Sequence, residues 1–244
     1  MLLAFAVGVR SGRHRGVDVA WGLGFTAVAL TGYGLSAGYG DPGRRLLATV
    51  LVTVWGLRLA GHIWWRSRGR AEDPRYARML ARAPAGHRTG YALRRVYLAQ
   101  AALLWFVSLP VQAAQFLPGP LGPLRWAALG LWAVGLSFEA VGDRQLARFR
   151  ADPANHGRVL DRGLWRYTRH PNYFGDACLW WGLFLLAADA PIGWAFVASP
   201  LLMTYLLAFG SGKPLLERQL GSTKAGWDAY VTRTSGFLPR RPRR

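Results

Sequence analysis

Apolar residues in this chain come in blocks long enough to cross a bilayer, and that constrains its fold more than any other feature. Six blocks are readable, at roughly 17–36, 44–66, 91–117, 122–145, 172–189 and 191–210. A spanning helix needs about 20 residues. The last two blocks are therefore short, and Ala190-Pro191 between them predicts a tight hairpin. In hydrocarbon, every backbone N–H and C=O must be satisfied internally, which helices achieve and open sheets do not. The expected fold is an all-α integral membrane bundle of about six helices, forming a single domain over 1–244. Met1 to Val9 is apolar but too short to span, and basic residues follow it, unlike a cleavable signal. It reads as a surface anchor or as the remnant of a shortened first helix.

Charge sits between the blocks. Lys and Arg number three in 10–15, nine in 66–95, seven in 144–169 and eight in 213–244, together 27 of 31. The opposite ends carry only Arg44, Arg45 and Arg125, and Arg58 lies inside a block. Six crossings that start inside place all four basic segments on one face, and the positive-inside rule makes that face cytoplasmic. A net charge of +19 would suggest nucleic acid in a soluble protein. Here topology accounts for it, and no nucleic-acid partner is expected. The lone Cys178 rules out an internal disulfide and shows no metal-ligand spacing. No glycine-rich strand-turn-helix fingerprint is present, which argues against a Rossmann domain, and no metal site is expected.

The densest polar stretch is Gly163-Leu-Trp-Arg-Tyr-Thr-Arg169-His170-Pro171-Asn172-Tyr173-Phe-Gly-Asp176, followed directly by an apolar run from Ala177 to Ala188. Pro171 pushes His170 out of the α region and is itself favoured at the first position of a helix. The spacing predicts an extended approach that becomes a helix at Pro171, with Asp176 about one turn inside. Such a helix start offers unpaired N–H groups and a positive dipole end, which suits an anion. This stretch resembles the signature of the membrane-bound steroid 5α-reductase-like superfamily, above all its bacterial branch labelled as a domain of unknown function (DUF1295). The superfamily also contains sterol reductases and isoprenylcysteine carboxyl methyltransferases. The resemblance runs from about residue 17 to 239 and is strongest over 139–239. It implies cytoplasmic loops over a cofactor cavity.

Other positions follow from their own spacing and from that resemblance. Arg58, His62, Arg66 and Arg70 recur every four residues, so they are expected on one helical face. A charge as deep as Arg58 usually faces an interior cavity, and stacked guanidiniums suit a ligand with several phosphates. In the resembled reductases the matching helix supplies arginines to the cofactor's phosphates. Those reductases also carry, on this helix, a tyrosine that binds the substrate ketone; Trp55 stands there instead, and indole cannot act as that acid. Asp18 opens the first full block. It reads either as a helix cap or as a general acid, since a carboxyl drawn into apolar surroundings keeps its proton. Glu139, Asp143 and Arg150 share a face of the fourth block; the resemblance places Asp143 and Arg150 on the nucleotide, with Glu139 where steroid reductases have asparagine. Lys213, Glu217 and Tyr230 fall in the segment that closes over the cofactor in the family, Lys213 replacing an arginine. The arginine tail, Arg240 to Arg244, reads as an anionic-lipid contact. Pro110 is expected to kink the third block, and 67–90 reads as a basic loop whose mixed charges form a surface network.

The combined expectation is an NADPH-dependent reductase. Its catalytic candidates are Asp18, Trp55 and Glu139. Its cofactor candidates are Arg58, His62, Arg66, Arg70, Asp143, Arg150, Arg169, His170, Asn172, Tyr173, Asp176, Lys213, Glu217 and Tyr230. The reaction implied is hydride transfer to a C=C bond conjugated to a carbonyl in a lipid-soluble, steroid- or isoprenoid-like molecule. The alternative is methyl transfer from S-adenosylmethionine to a lipid-linked group. Membrane lipids are expected partners, no protein partner is required, and the location expected is the bacterial inner membrane with basic loops and C-terminus cytoplasmic.

Overall fold

Three Asp-Pro pairs mark where helices begin. A computed structural model describes residues 1–221 and 223–243, the side chain of Gln219 excepted. In it Asp41 caps α3 (Pro42–Ser67) by accepting the Arg44 N–H at 2.7 Å, and Asp73 caps α4 (Pro74–Leu80) by accepting the Arg75 N–H at 2.8 Å. Asp152 does the same for a short 3₁₀ turn, Pro153–Asn155. The carboxylate satisfies an orphan N–H while proline, which has none, occupies the first helical position.

All regular elements among the described residues are helical. They fall into two compact units, Met1–Leu121 and Gly122–Arg244. The first holds α1 (Leu2–Ser11), α2 (Gly16–Leu35), α3, α4, α5 (Arg88–Ala92), a π-helical segment (Leu93–Leu98), α6 (Ala99–Val107) and α7 (Leu109–Phe116). The second holds α8 (Leu124–Ala151), a 3₁₀ turn at Gly163–Arg166, α9 (Pro171–Ala188), a 3₁₀ turn at Pro191–Phe196, α10 (Ala198–Ala208), α11 (Lys213–Gly221) and α12 (Trp227–Arg233).

Among the described residues, three helices are long and apolar enough to cross a membrane: Pro42–Ser67, Leu124–Ala151 and Pro191–Arg218. A fourth arises if Arg88–Val107 and Leu109–Phe116 are one span, bent by 43°. The break falls at Ser108, just ahead of Pro110, where the kink was expected. Apolar side chains such as Val50, Val54 and Leu57 on α3 and Leu201 on α10 face outward. That surface, like the length of these helices, suits hydrocarbon.

Each unit is built on a pair of helices in close approach. A Cβ on Gly22 of α2 would lie 2.2 Å from the Gly56 carbonyl of α3, and one on Gly56 would lie 2.5 Å from the Gly22 carbonyl. In the second unit Gly135 of α8 and Gly175 of α9 stand in the same reciprocal relation, each 2.5 Å from the other's carbonyl, and Gly182 meets the Ala128 carbonyl at 2.7 Å. Lipid tails are as apolar as leucine, so membrane helices associate through close packing of small residues rather than through a hydrophobic drive.

Arg44 and Arg45 lie in the first turn of α3, at the span end where they were expected, and are buried in the first unit. Arg44 donates to the carbonyls of Leu117, Pro118 and Pro120 at 3.3–3.4 Å. Arg45 donates to Ser36 Oγ at 2.7 Å and the Tyr33 carbonyl at 2.6 Å, over the Tyr33 ring. These charges serve as donors to carbonyls that end helices and turns. Arg244, at the end of the arginine tail, lies outside the described residues. Replacing Gly175 with valine should force α8 and α9 apart and cost about 1–3 kcal/mol. Gly130→Val, on the same α8 but with open space around its Cβ position, should change the melting temperature far less. Thermal melts of the two variants in detergent check this.

Candidate functional site

The signature folds as its proline dictates. After the 3₁₀ turn Gly163–Arg166 the chain runs to His170, which has φ −139° and ψ 65°, and α9 starts at Pro171. Arg169 is buried, with its donors distributed across the closing segment. Its Nε donates to Glu217 Oε1 at 2.9 Å and its Nη2 to Oε2 at 3.4 Å. Its Nη1 donates to the carbonyls of Val231 and Thr234, and its backbone N–H to Ser235. Glu217 also meets His170 Nε2 at 2.9 Å. Lys213 joins the cluster: a Cβ on Gly236 would lie 2.9 Å from Lys213 Nζ and 3.0 Å from Arg169 Nη2. Arg169, His170, Lys213 and Glu217 are therefore one assembly, latched further by Thr168 Oγ1 donating to the Phe237 carbonyl at 2.8 Å. Tyr230 donates to the Trp165 carbonyl at 2.6 Å, and burial pushes its phenol pKa up.

His170 is almost wholly buried and stacks on Tyr173, centroids 5.2 Å apart and planes 6° from parallel. Burial lowers its pKa; the Glu217 carboxylate works against that, while Arg169 and Lys213 reinforce it. The N–H of Tyr173, one of those expected to be available to an anion, is taken by Asn172 Oδ1 at 3.1 Å. Asn172 Nδ2 in turn approaches Asp143 Oδ1 at 3.5 Å. Glu139 and Asp143 are both buried on α8, whereas Arg150 is exposed. Asp176 lies half-buried on α9, one turn beyond Asn172.

In the first unit the α3 stripe holds for three of its four members. Arg58 and His62 are half-buried and Arg66 exposed, all on the helix. Arg70 is not on it: α3 ends at Ser67, Arg68 turns to ψ 136° and Gly69 takes φ 69°, so Arg70 leaves the helical face. Its carbonyl accepts from Arg15 Nη1 at 2.7 Å. Trp55 is buried against Phe25, centroids 5.4 Å apart, in the α2–α3 packing. Asp18 sits at the mouth of α2 and accepts from Arg75 Nη2 at 2.7 Å and from the Tyr76 hydroxyl. Both of its side-chain oxygens are thus engaged by residues of α4.

A family model described as "Protein of unknown function (DUF1295)" matches residues 4–234. This chain belongs to the DUF1295 family. It is also 25% identical, over 252 residues, to an uncharacterized protein of Schizosaccharomyces pombe, covering 92% of this chain and 72% of the other. No solved structure matches.

Reading by spacing missed several polar partners in this DUF1295 protein. Tyr76, Gln100 and Trp21 form a chain of hydrogen bonds running from Asp18. Burial, then the nearby Asp18 charge, pushes the Tyr76 phenol pKa up. Tyr97, carried on the π-helical segment, meets His14 Nδ1 at 2.9 Å, and Glu72 accepts the backbone N–H groups of His14 and Arg15 ahead of α2 and of Asp73 ahead of α4. The one local signal was Asp73-Pro74, which marks α4 and with it the position of Tyr76.

The latch has a pH signature. A histidine whose folded pKa is depressed contributes stability that is full above its unfolded value, about 6.5, and is lost as pH falls through the folded value. Melting temperature should therefore fall as pH drops below about 6.5, and His170→Gln should flatten that slope. Glu217→Ala leaves buried Arg169 short of its carboxylate and should cost about 3 kcal/mol, the low end for breaking a buried pair. Arg233→Ala removes only the exposed Asp161 contact and should cost less than about 1 kcal/mol.

Proposed function

We propose that this protein is an integral-membrane reductase that uses NADPH to reduce an activated C=C bond of a lipid-soluble, steroid- or isoprenoid-like enone. The observation that carries the reading is the α3 stripe: a half-buried Arg58, then His62, then an exposed Arg66, one turn apart on a helix apolar enough to span. Guanidiniums graded from depth to surface match a ligand that presents several phosphates in series. A charge as deep as Arg58 in a spanning helix usually faces an interior cavity. Family membership and the resemblance to steroid 5α-reductases support the same reading.

The residues fit the cofactor in kind. Arg58, His62 and Arg66 would bind phosphate oxygens. The second unit offers Asp143, Arg150, Asn172 and Tyr173 as polar candidates, each testable by the same measurement. NADPH would supply the hydride. Glu139, buried in α8, is the acid we assign to the reacting carbonyl; polarising it while hydride reaches the β-carbon avoids a free enolate.

We further propose six crossings with the basic loops and the C-terminus on the cytoplasmic side of a bacterial inner membrane. Besides the four spans already described, α2 and α9 have 20 and 18 residues. At 1.5 Å per residue they extend about 30 and 27 Å, close to the hydrocarbon thickness. Green fluorescent protein fused after the last residue should fluoresce, and alkaline phosphatase at the same point should be inactive; the reverse pattern sinks this topology.

Thermal melts of detergent-purified protein with NADPH, NADH and S-adenosylmethionine test the activity. NADPH at about 100 times its Kd should stabilise by about 2.7 kcal/mol, and Arg58→Ala should weaken it at least about tenfold, the worth of one charge-assisted contact. A shift with S-adenosylmethionine alone would replace the reductase with a methyltransferase.

A further inference from the structure

The C-terminal turns of α8 and the loop after them line an open cavity of about 350 Å³ that none of the roles above uses. Its lining includes Gln145, Arg148, Phe149, Leu160 and Arg162. We propose that this cavity binds the phosphate headgroup of an anionic phospholipid.

Chemistry comes first. Arg148 and Arg162 are exposed, and neither has a carboxylate within ion-pair distance among the described residues. Arg162 lies over the Phe149 ring at 5.8 Å, which holds one guanidinium at the edge of an apolar floor completed by buried Leu160. Gln145 Oε1 accepts the Leu164 N–H at 3.0 Å, so its orientation is set and its amide Nε2 adds a donor to the lining. The acid in the lining, Asp152, is turned to its own loop, accepting from Ala154 N–H at 2.9 Å and Asn155 Nδ2 at 3.1 Å. Two guanidiniums and an amide donor over an apolar floor match a phosphate that carries an apolar tail. The wall is also fixed: Gly163 has φ +63°, and a Cβ there would stand 2.5 Å from Gln145 Nε2.

Depth decides between a lipid and a soluble phosphate. α8 has 28 residues, hence a length of about 42 Å, against a hydrocarbon core of about 30 Å. Its last two turns therefore stand in the headgroup layer, and they carry Gln145, Arg148 and Phe149. A volume near 350 Å³ lies at the bottom of the range for small-molecule sites and suits a headgroup rather than a whole dinucleotide.

The test is a thermal melt of the full-length protein in detergent, titrated with phosphatidylglycerol, phosphatidylcholine or inorganic phosphate. Phosphatidylglycerol should raise the melting temperature and phosphatidylcholine should not. The apparent affinity for phosphatidylglycerol should fall at least about tenfold in Arg148→Gln/Arg162→Gln, as expected for basic groups near an anionic surface. Because neither arginine is assigned to the nucleotide, any NADPH shift should persist in that variant, so the two readings fail separately. If the double variant melts low without lipid, the single variants carry the same comparison. An undiminished phosphatidylglycerol shift in the variants overturns the proposal. So does a full shift with inorganic phosphate, which would make the ligand a soluble phosphate.

Discussion

The guanidinium of Arg169 touches Glu217 of α11 and the carbonyls of Val231 and Thr234 at the end of α12. Those groups come from stretches 48 to 65 residues further along the chain. Arginine can do this because its planar fork presents five donors at fixed angles. Each carbonyl at a helix end lacks an intrahelical partner and needs a donor from elsewhere. Remove the fork and α11, α12 and the stretch to Phe237 lose their common anchor at the foot of α9. The same device recurs within the first unit, where Arg44 holds three carbonyls of the 117–120 turn. Buried arginine in this protein is chiefly a cross-brace for backbone that has left the helix.

This division separates two populations within the chain's large positive charge. Arg44, Arg45 and Arg169 are buried and have fixed acceptors. Arg66, Arg148, Arg150 and Arg162 are exposed. A buried charge must be paired and hydrogen-bonded, or its desolvation would cost several kcal/mol. An exposed one keeps most of its hydration and costs little. Burial therefore sorts the arginines better than the motif does. Arg169 sits inside the signature yet is committed to the fold, whereas Arg66, Arg148 and Arg162 lie outside it and stay exposed.

Much of this was legible in local patterns. Pro171 as the start of α9, Pro110 as the cause of a break, the hairpin at Pro191 and the adjacency of Arg58, His62 and Arg66 all follow from constraints that act within a few residues. Membership of the DUF1295 family was legible in the signature itself. What escaped was long-range. Asp18 meets Tyr76 across 58 positions and His14 meets Tyr97 across 83. No periodicity reports such pairs. Nor could spacing reveal that the chain uncoils between Ser67 and Arg70, because repetition every four residues persists whether or not the helix does. Gly69, adjacent to Arg70 and at φ 69°, was the available warning.

The glycine contacts limit how the polar groups can be arranged. Gly135 and Gly175 bring α8 and α9 so close that the backbone N of Glu139 lies 2.8 Å from where a Gly175 side chain would begin. At that separation there is no room for a layer of apolar side chains between the helices. Glu139 and Asp143 are consequently buried by the approach of α9's backbone rather than by a leucine shell, and the polar edge of α9, led by Asn172, lies within reach of Asp143. Close helix packing is what permits acids on a membrane helix here: it removes them from lipid and gives them polar neighbours, which an acid in hydrocarbon would otherwise lack. A bulkier seam would return Glu139 and Asp143 toward hydrocarbon, so the small residues of the signature and its acids depend on one another.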